Sequence, residues 1–282
     1  MTGDDRLSRL PPLGETIRQH RLSARKGLGQ HFLLDLNLTG RIARASGDLT
    51  QGTTIEIGPG PGGLTRALLM AGAARVVAVE RDVRAVAALA ELAEAAEGRL
   101  VVVEADAQAI DPSVLGPPPR RIVANLPYNV GTPLLIAWLR RMADFESLTL
   151  MFQKEVAERL AAGPGEPAYG RLSVLVRATA EARRLFDVAP SAFTPPPKVV
   201  SSVVRLTPRT DPFDDVEAIE QVTAAAFGQR RKMLRQSLKS LGVPVEPLLA
   251  AVGIDPTARA ETLDVAEFAG LARELKRLRA AG

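Results

Sequence analysis

Between residues 54 and 152 the chain alternates short apolar runs with Ala- and Leu-rich stretches of helical length. The runs are residues 54–57, 76–79, 100–103, 121–124 and 148–152. The intervening stretches are 64–71, 83–96, a short 112–115 and 133–141. A strand that is apolar throughout is buried on both faces. Such strands alternating with helices specify a mostly parallel sheet covered on both sides. The pattern predicts an α/β, Rossmann-like doubly wound domain. Residues 37–47 form a helical pattern ahead of it, and the Val-rich segments 173–180 and 199–206 read as antiparallel additions.

The break Thr-Pro-Arg-Thr-Asp-Pro-Phe-Asp-Asp at 207–215 ends this regime. Beyond it only helical patterns appear, at 216–227, 231–241, 245–252 and 265–279, separated by Gly/Pro turns. The expected organisation is a basic, partly disordered arm at 1–28, the α/β domain at 29–207 and an all-helical domain at 208–282. The longest charge-free run, 18 residues from Ile122 to Leu139, contains Asn125, Pro127, Asn129, Gly131 and Pro133. Those residues suit a buried strand, loop and helix rather than a membrane span. With no export signal at the start, a cytoplasmic location is expected.

Composition narrows the chemistry. The absence of cysteine removes disulfides, zinc ribbons and a thiol nucleophile, and two histidines, His20 and His31, make a His-rich metal centre unexpected. No metal is called for. The formal charge of +4 says little by itself; where the basic residues fall says more.

Gly58-Pro-Gly60-Pro-Gly62-Gly63 follows the first strand and opens a helix, a loop in which glycine allows tight turning and close approach to a ligand. Glu80 ends the second strand, 22 residues after Gly58, where a carboxylate can accept from both ribose hydroxyls. Asp106 follows the third strand and can accept from an adenine amine. Pro59 and Pro61 remove N–H donors that a pyrophosphate cradle needs. Acidic residues at the ends of the first, second and third strands, Glu56 being that of the first, suit an adenosine that carries positive charge, and S-adenosylmethionine fits that description.

At the end of the fourth strand stands Asn125-Leu126-Pro127-Tyr128, which resembles the tetrad of adenine-N6 and related amino methyltransferases. The residue types follow from the chemistry. An aromatic exocyclic amine is a poor nucleophile because its lone pair is delocalised. The Asn125 side-chain oxygen and the Leu126 carbonyl can each accept one N–H, favouring a pyramidal nitrogen. Pro127 stiffens the turn, and Tyr128 offers a face on which the unstacked base can lie. Positioning and hydrogen-bond electrostatics then carry most of the rate, without a low-pKa base.

Further segments extend the resemblance along nearly the whole chain: Gly29-Gln-His31-Phe-Leu33, Glu80-Arg81-Asp82, Asp106-Ala107, Met151 to Leu160, Tyr169-Gly-Arg171-Leu-Ser173, Phe193-Thr-Pro-Pro-Pro-Lys198 and Phe227-Gly-Gln-Arg230-Arg231-Lys232-Met-Leu234. The chain is similar to the small-subunit rRNA adenine N6-dimethyltransferase family of the KsgA type. That resemblance implies a class I methyltransferase domain with a helical C-terminal domain. It implies methylation of two adjacent adenosines near the 3′ end of 16S rRNA during late 30S assembly, by a monomer. Carried over, His31, Leu33, Gly58, Gly60, Glu80, Arg81, Asp106, Ala107 and Asn125 hold S-adenosylmethionine. Asn125 and Leu126 orient the amine, and Tyr128 and Phe193 sandwich the base. His31 stands where the family has Asn.

Arg230, Arg231, Lys232, Arg235 and Lys239 crowd into ten residues without an acid, and on a helix 231, 235 and 239 share one face, with Met233, Leu234, Leu238 and Leu241 on the packed side. They are expected to contact rRNA phosphates, with Arg171 and Lys198 nearer the base. Tyr169, in a Gly/Pro-rich loop, reads as a lip over the substrate and Trp138 as core. Two alternatives stay open: a 23S rRNA adenine methyltransferase of the macrolide-resistance type, and a non-catalytic assembly or transcription factor on the same fold.

Overall fold

A computed structural model describes residues 3–22, 24, 30–127 and 130–281. Gly29 and Tyr128 therefore lie outside the described residues. In chain order the elements are α1 (Gly3–Arg9), α2 (Leu13–Gln19), β1 (Phe32–Leu33), α3 (Leu36–Ala45), β2 (Thr53–Ile57), α4 (Gly63–Met70), β3 (Val76–Glu80), α5 (Val83–Ala88), α6 (Ala90–Ala95), β4 (Leu100–Glu104), β5 (Arg120–Asn125), α7 (Gly131–Leu139), β6 (Ser147–Gln153), α8 (Lys154–Ala161), α9 (Arg171–Thr179), β7 (Ala180–Val188), β8 (Phe193–Thr194) and β9 (Ser201–Pro208). The helices α10 (Val216–Gly228), α11 (Leu234–Ser237), α12 (Val245–Val252) and α13 (Val265–Ala281) complete the chain. Among the described residues no helix is long and apolar enough to cross a membrane.

Seven strands form one sheet in the order β4-β3-β2-β5-β6-β9-β7. The pairs β4–β3, β3–β2, β2–β5 and β5–β6 are parallel, and β9 runs antiparallel to β6. All five strands anticipated between 54 and 152 are present, and β2 and β3 are buried at every position, as an interior strand covered on both faces requires. The order reverses between β2 and β5, and ligands of open α/β sheets bind at such a switch point, beyond the carboxyl ends of the strands.

By contact grouping the chain separates into two compact units. The first comprises residues 1–135, 143–157 and 183–207 and contains the sheet's parallel core. The second comprises 136–142, 158–182 and 208–282 and is built from helices. Its core places the Tyr169 ring edge-on to Phe227, which stacks on Phe268.

Four local expectations are corrected. Of residues 173–180, all but Ala180 lie in helix α9 instead of a strand. Ser173, Val174, Leu175, Val176, Ala178 and Thr179 are all buried, so the apolar periodicity that separates helix from strand is absent there. The edge strand is supplied instead by β7, whose Arg183, Arg184 and Asp187 had hidden a strand that is mostly exposed.

The arm expected to be partly disordered is helical over α1 and α2. Leu7 is fully buried in the core of the first unit, Leu13 and Leu22 are buried, and Arg66 donates to the carbonyls of Ser8 and Pro11. Tyr169 is no lip. It is fully buried, its hydroxyl donates to the Leu263 carbonyl at 2.9 Å, and burial pushes its phenol up to about 12. Finally, the basic helix begins at Leu234, so Arg231 precedes it and Met233 is exposed rather than packed.

Candidate active site

The carboxyl ends of β2, β3 and β5 open onto one cavity. Its wall includes His31, Leu33, Gly58, Gly60, Glu80, Arg81, Asp106, Ala107, Asn125, Leu126 and Pro127. Every residue expected to hold the cofactor thus lies on a single surface, beside three residues of the reaction tetrad. Phe193 is not on that wall. It is 3 % exposed, packed into the core, with its ring 6.4 Å from His31 in an edge-on arrangement.

The glycine loop is shaped by left-handed backbone at Gly58, Gly60 and Gly62 (φ 69°, 54° and 87°), a region in which side chains with a Cβ are strained. A Cβ on Gly60 would also stand 3.1 Å from the Phe32 ring. The loop is anchored from the next strand. Glu80 Oε2 accepts from the Gly60 N–H at 3.1 Å, while Oε1 accepts from the N–H groups of Arg81 and Asp82, both at 2.8 Å. Glu80 is therefore a structural clamp as well as a ribose candidate. Two of its bonds lie on one oxygen, which leaves acceptor capacity mainly on Oε2.

Asp106 pairs with Arg81 at 3.3 Å and accepts from the Gln108 N–H at 3.0 Å. Asp82, next to Glu80, caps α5 and holds Arg84 at 2.6 Å, which keeps its carboxyl down at about 2.

Glu56, the acidic residue of β2, lines the same cavity, though no contact of its own was expected for it. It is 1 % exposed, and its Oε2 has no hydrogen-bond partner among the described residues. Burial, with the Glu80 charge adding, pushes its carboxyl up to about 8 against the pull of Thr65. An uncompensated buried acid on a cavity wall is a place for a ligand's positive charge. The sequence signal was available, since Glu56 stands between Ile55 and Ile57, two residues before Gly58.

Asn125, at the end of β5, is half-buried. Its Nδ2 donates to the His31 backbone carbonyl at 3.0 Å. A carbonyl can only accept, so this bond fixes the amide orientation and leaves Oδ1 as the outward acceptor. His31 is held in turn, with Nδ1 at 2.7 Å from the Pro195 carbonyl, so that nitrogen carries the proton. The two segments are also strapped by backbone: β1 pairs antiparallel with β8, with Phe32 opposite Thr194 and Leu33 opposite Phe193. The Pro127 carbonyl accepts from the N–H groups of Val130 and Gly131 as α7 begins.

The expected RNA-facing residues are exposed, though not all are uncommitted. Arg171 pairs with Glu220, and Arg230 pairs with Glu261 at 3.1 Å and donates to the Pro167 carbonyl. Lys198, Arg231, Lys232, Arg235 and Lys239 are exposed. Among the described residues no group of three or more His, Asp or Glu is placed to hold a metal ion.

Comparison with known proteins bears on this arrangement. Residues 21–277 match the family described as Ribosomal RNA adenine dimethylase. A protein of Rhodospirillum rubrum named Ribosomal RNA small subunit methyltransferase A is 64% identical over 266 residues, covering 94% of this chain and 92% of that one. Its counterpart in Paramagnetospirillum magneticum is 63% identical over 268 residues, covering 94% and 95%. The crystal structure of a dimethyladenosine transferase from Plasmodium falciparum superposes with a TM-score of 0.75 at 26% identity, over 88% of this chain and 98% of that one. The crystal structure of the 23S rRNA methyltransferase ErmE superposes with a TM-score of 0.64, also at 26% identity, over 87% and 99%.

Proposed function

Because this chain belongs to the ribosomal RNA adenine dimethylase family, we propose that it dimethylates N6 of two adjacent adenosines near the 3′ end of 16S rRNA. It is a small-subunit rRNA methyltransferase. The methyl donor is S-adenosylmethionine and the substrate is the 30S particle late in its assembly. The enzyme acts as a cytoplasmic monomer.

The observation that carries the reading is the convergence of Glu56, Glu80, Asp106, Asn125 and Leu126 on one cavity. The donor set fits a cationic nucleoside. The orphaned Glu56 oxygen, buried beside a glycine loop short of N–H donors, suits an ammonium or sulfonium, whose charge draws the proton off the carboxyl. Bound there, S-adenosylmethionine supplies an electrophilic methyl group.

The protein's own residues do the rest. Glu80 and Asp106 take the nucleoside hydroxyls and the adenine amine, with His31, Leu33, Gly58, Gly60, Arg81 and Ala107 completing the wall. Asn125 Oδ1, aimed by its bond to His31, and the Leu126 carbonyl accept the two N–H bonds of the target amine. This turns the nitrogen lone pair toward the cofactor. Tyr128 and Phe193 flank the base, the second after the ring moves out of its buried position. Residues 29–207 carry the transferase. Residues 208–282, with Arg171 and Lys198, grip rRNA through Arg230, Arg231, Lys232, Arg235 and Lys239.

The test is incubation with labelled cofactor and 30S particles that lack the modification, with 50S particles in parallel. N6,N6-dimethyladenosine in 16S rRNA alone is the expected product. Label in 23S rRNA, or tight binding without product, overturns the reading.

A further inference from the structure

A second cleft lies elsewhere on the first unit and belongs to none of the machinery described above. Arg41 of α3, Arg183 of β7 and Arg205 of β9 converge on it, with Leu185 and Phe186 as its apolar side and a volume of about 610 Å³. No carboxylate lines it, and none pairs with these three arginines among the described residues. Other arginines of this chain do have acidic partners, as Arg84 has Asp82 and Arg140 has Glu220.

Two of the three guanidinium groups, those of Arg41 and Arg205, are also held in place. The Arg41 guanidinium carbon sits 3.8 Å from the centroid of the Phe186 ring, which orders the side chain while its N–H groups remain available. Arg205 donates to the Ala45 carbonyl at 3.5 Å, and its Nε is buried without a partner. Its head group lies so close over Gly47 that a Cβ there would stand 2.7 Å from it. A charged edge strand blunts pairing with other sheets, which accounts for Arg183. It does not account for Arg41 and Arg205, which come from two other elements.

The register locates the cleft. β9 runs antiparallel to β6, with Ser201 opposite Gln153 and Leu206 opposite Leu148. Arg205 therefore lies toward the amino ends of the parallel strands, whereas the cofactor cavity lies beyond their carboxyl ends. Arg205 stands opposite Thr149, four residues before the end of β6 at Gln153, which at roughly 3.3 Å per residue is about 13 Å of strand.

We propose that this cleft is a second rRNA contact, which holds sugar–phosphate backbone remote from the target adenosines. Guanidinium groups bind phosphate oxygens in bidentate fashion, and three of them without counter-charge await an anion. An apolar wall beside them suits the ribose and base edges of RNA better than a free inorganic anion. The inference rests on the rRNA methyltransferase reading, and it divides the substrate into a target hairpin and a distant anchor.

The test uses the double variant Arg41→Gln/Arg183→Gln, which leaves the more buried Arg205 intact, on the full chain. Binding to immature 30S particles is measured against salt, alongside cofactor binding by calorimetry. The expected result is particle affinity about tenfold lower at moderate salt, and a log–log salt slope reduced by about 0.7–0.9 per arginine lost. Cofactor affinity and turnover at saturating particle stay unchanged. Unaltered particle affinity and slope overturn the proposal. So does weaker binding to particles with unaltered binding to protein-free 16S rRNA, which assigns the cleft to a ribosomal protein. If the unmodified enzyme fails to methylate particles at all, the underlying reading fails instead of this one.

Discussion

The side chain of Asn125 donates to the backbone carbonyl of His31, 94 residues earlier in the chain, at 3.0 Å. This bond decides which way the amide faces and so where the acceptor for the target amine stands. Asn125→Asp keeps the shape but sets a carboxylate oxygen against that carbonyl. Asn125→Ala removes the acceptor altogether. Both variants are expected to lower kcat by about a hundredfold or more, the order lost with a preorganised hydrogen-bonding group, and to leave the far-UV circular dichroism unchanged. Activity within tenfold of the parent in Asn125→Ala refutes the proposed centre.

Glu56 gives the apo protein a pH signature. Its folded carboxyl titrates at about 8, above its ordinary value of 4.5. The folded state therefore binds a proton that the unfolded state has lost. Stability from this group is complete below pH 4.5 and declines until pH 8, at about 1.4 kcal/mol per pH unit. Glu56→Gln should flatten that decline in urea titrations at pH 5 to 8. A slope identical to the parent's rules the assignment out.

The same group couples cofactor binding to protons. A cationic ligand favours the ionised carboxylate, so binding at pH 7 expels a proton and affinity rises from pH 6 to pH 8. Calorimetry in two buffers of different ionisation enthalpy should record close to one proton released per cofactor, and none in Glu56→Gln.

Gly63 tests the packing beneath the glycine loop. A Cβ there would stand 2.7 Å from the Leu33 carbonyl and 2.9 Å from Leu13. Gly63→Ala is expected to destabilise the fold by about 1–3 kcal/mol through overpacking. Gly98→Ala meets nothing within 4 Å but carries a positive φ of 84°, so it should cost only the backbone strain. Equal losses in thermal melts would show that the crowding at Gly63 is relieved at no cost.

Charge reversal of Arg231, Lys232 and Arg235 to Glu should weaken rRNA binding and flatten its salt dependence. All three are exposed. Filter binding over a salt series reads both effects, and unchanged binding removes these residues from the interface.

The parallel core was legible because strands buried on both faces are apolar at nearly every position. Their ends carry the polar residues that make the site, so Glu80, Asp106 and Asn125 could be placed from the chain alone. What was missed has physical causes. Helix α9 is buried almost all round and shows no period. Strand β7 is an edge with four charged residues among nine, and it looks like a loop. Leu7, Leu13 and Leu22 are spread through an arginine-rich arm whose charge masks its packing. Tyr169 stands in a Gly/Pro-rich loop, and only the fold shows that the ring turns inward. The orientation of Asn125 depends on a carbonyl far along the chain, which no local pattern records.

That distance also sets a timetable. His31 is tied to the Pro195 carbonyl across 164 positions, and β1 has no partner in the described sheets except β8. A chain emerging from a ribosome carries the glycine loop, Glu80 and Asn125 long before it carries residues 193–195. Until those residues arrive, His31 lacks its bond to the Pro195 carbonyl and β1 lacks its pairing with β8. That side of the cavity therefore closes last: its strap is complete only when about two thirds of the chain has been made.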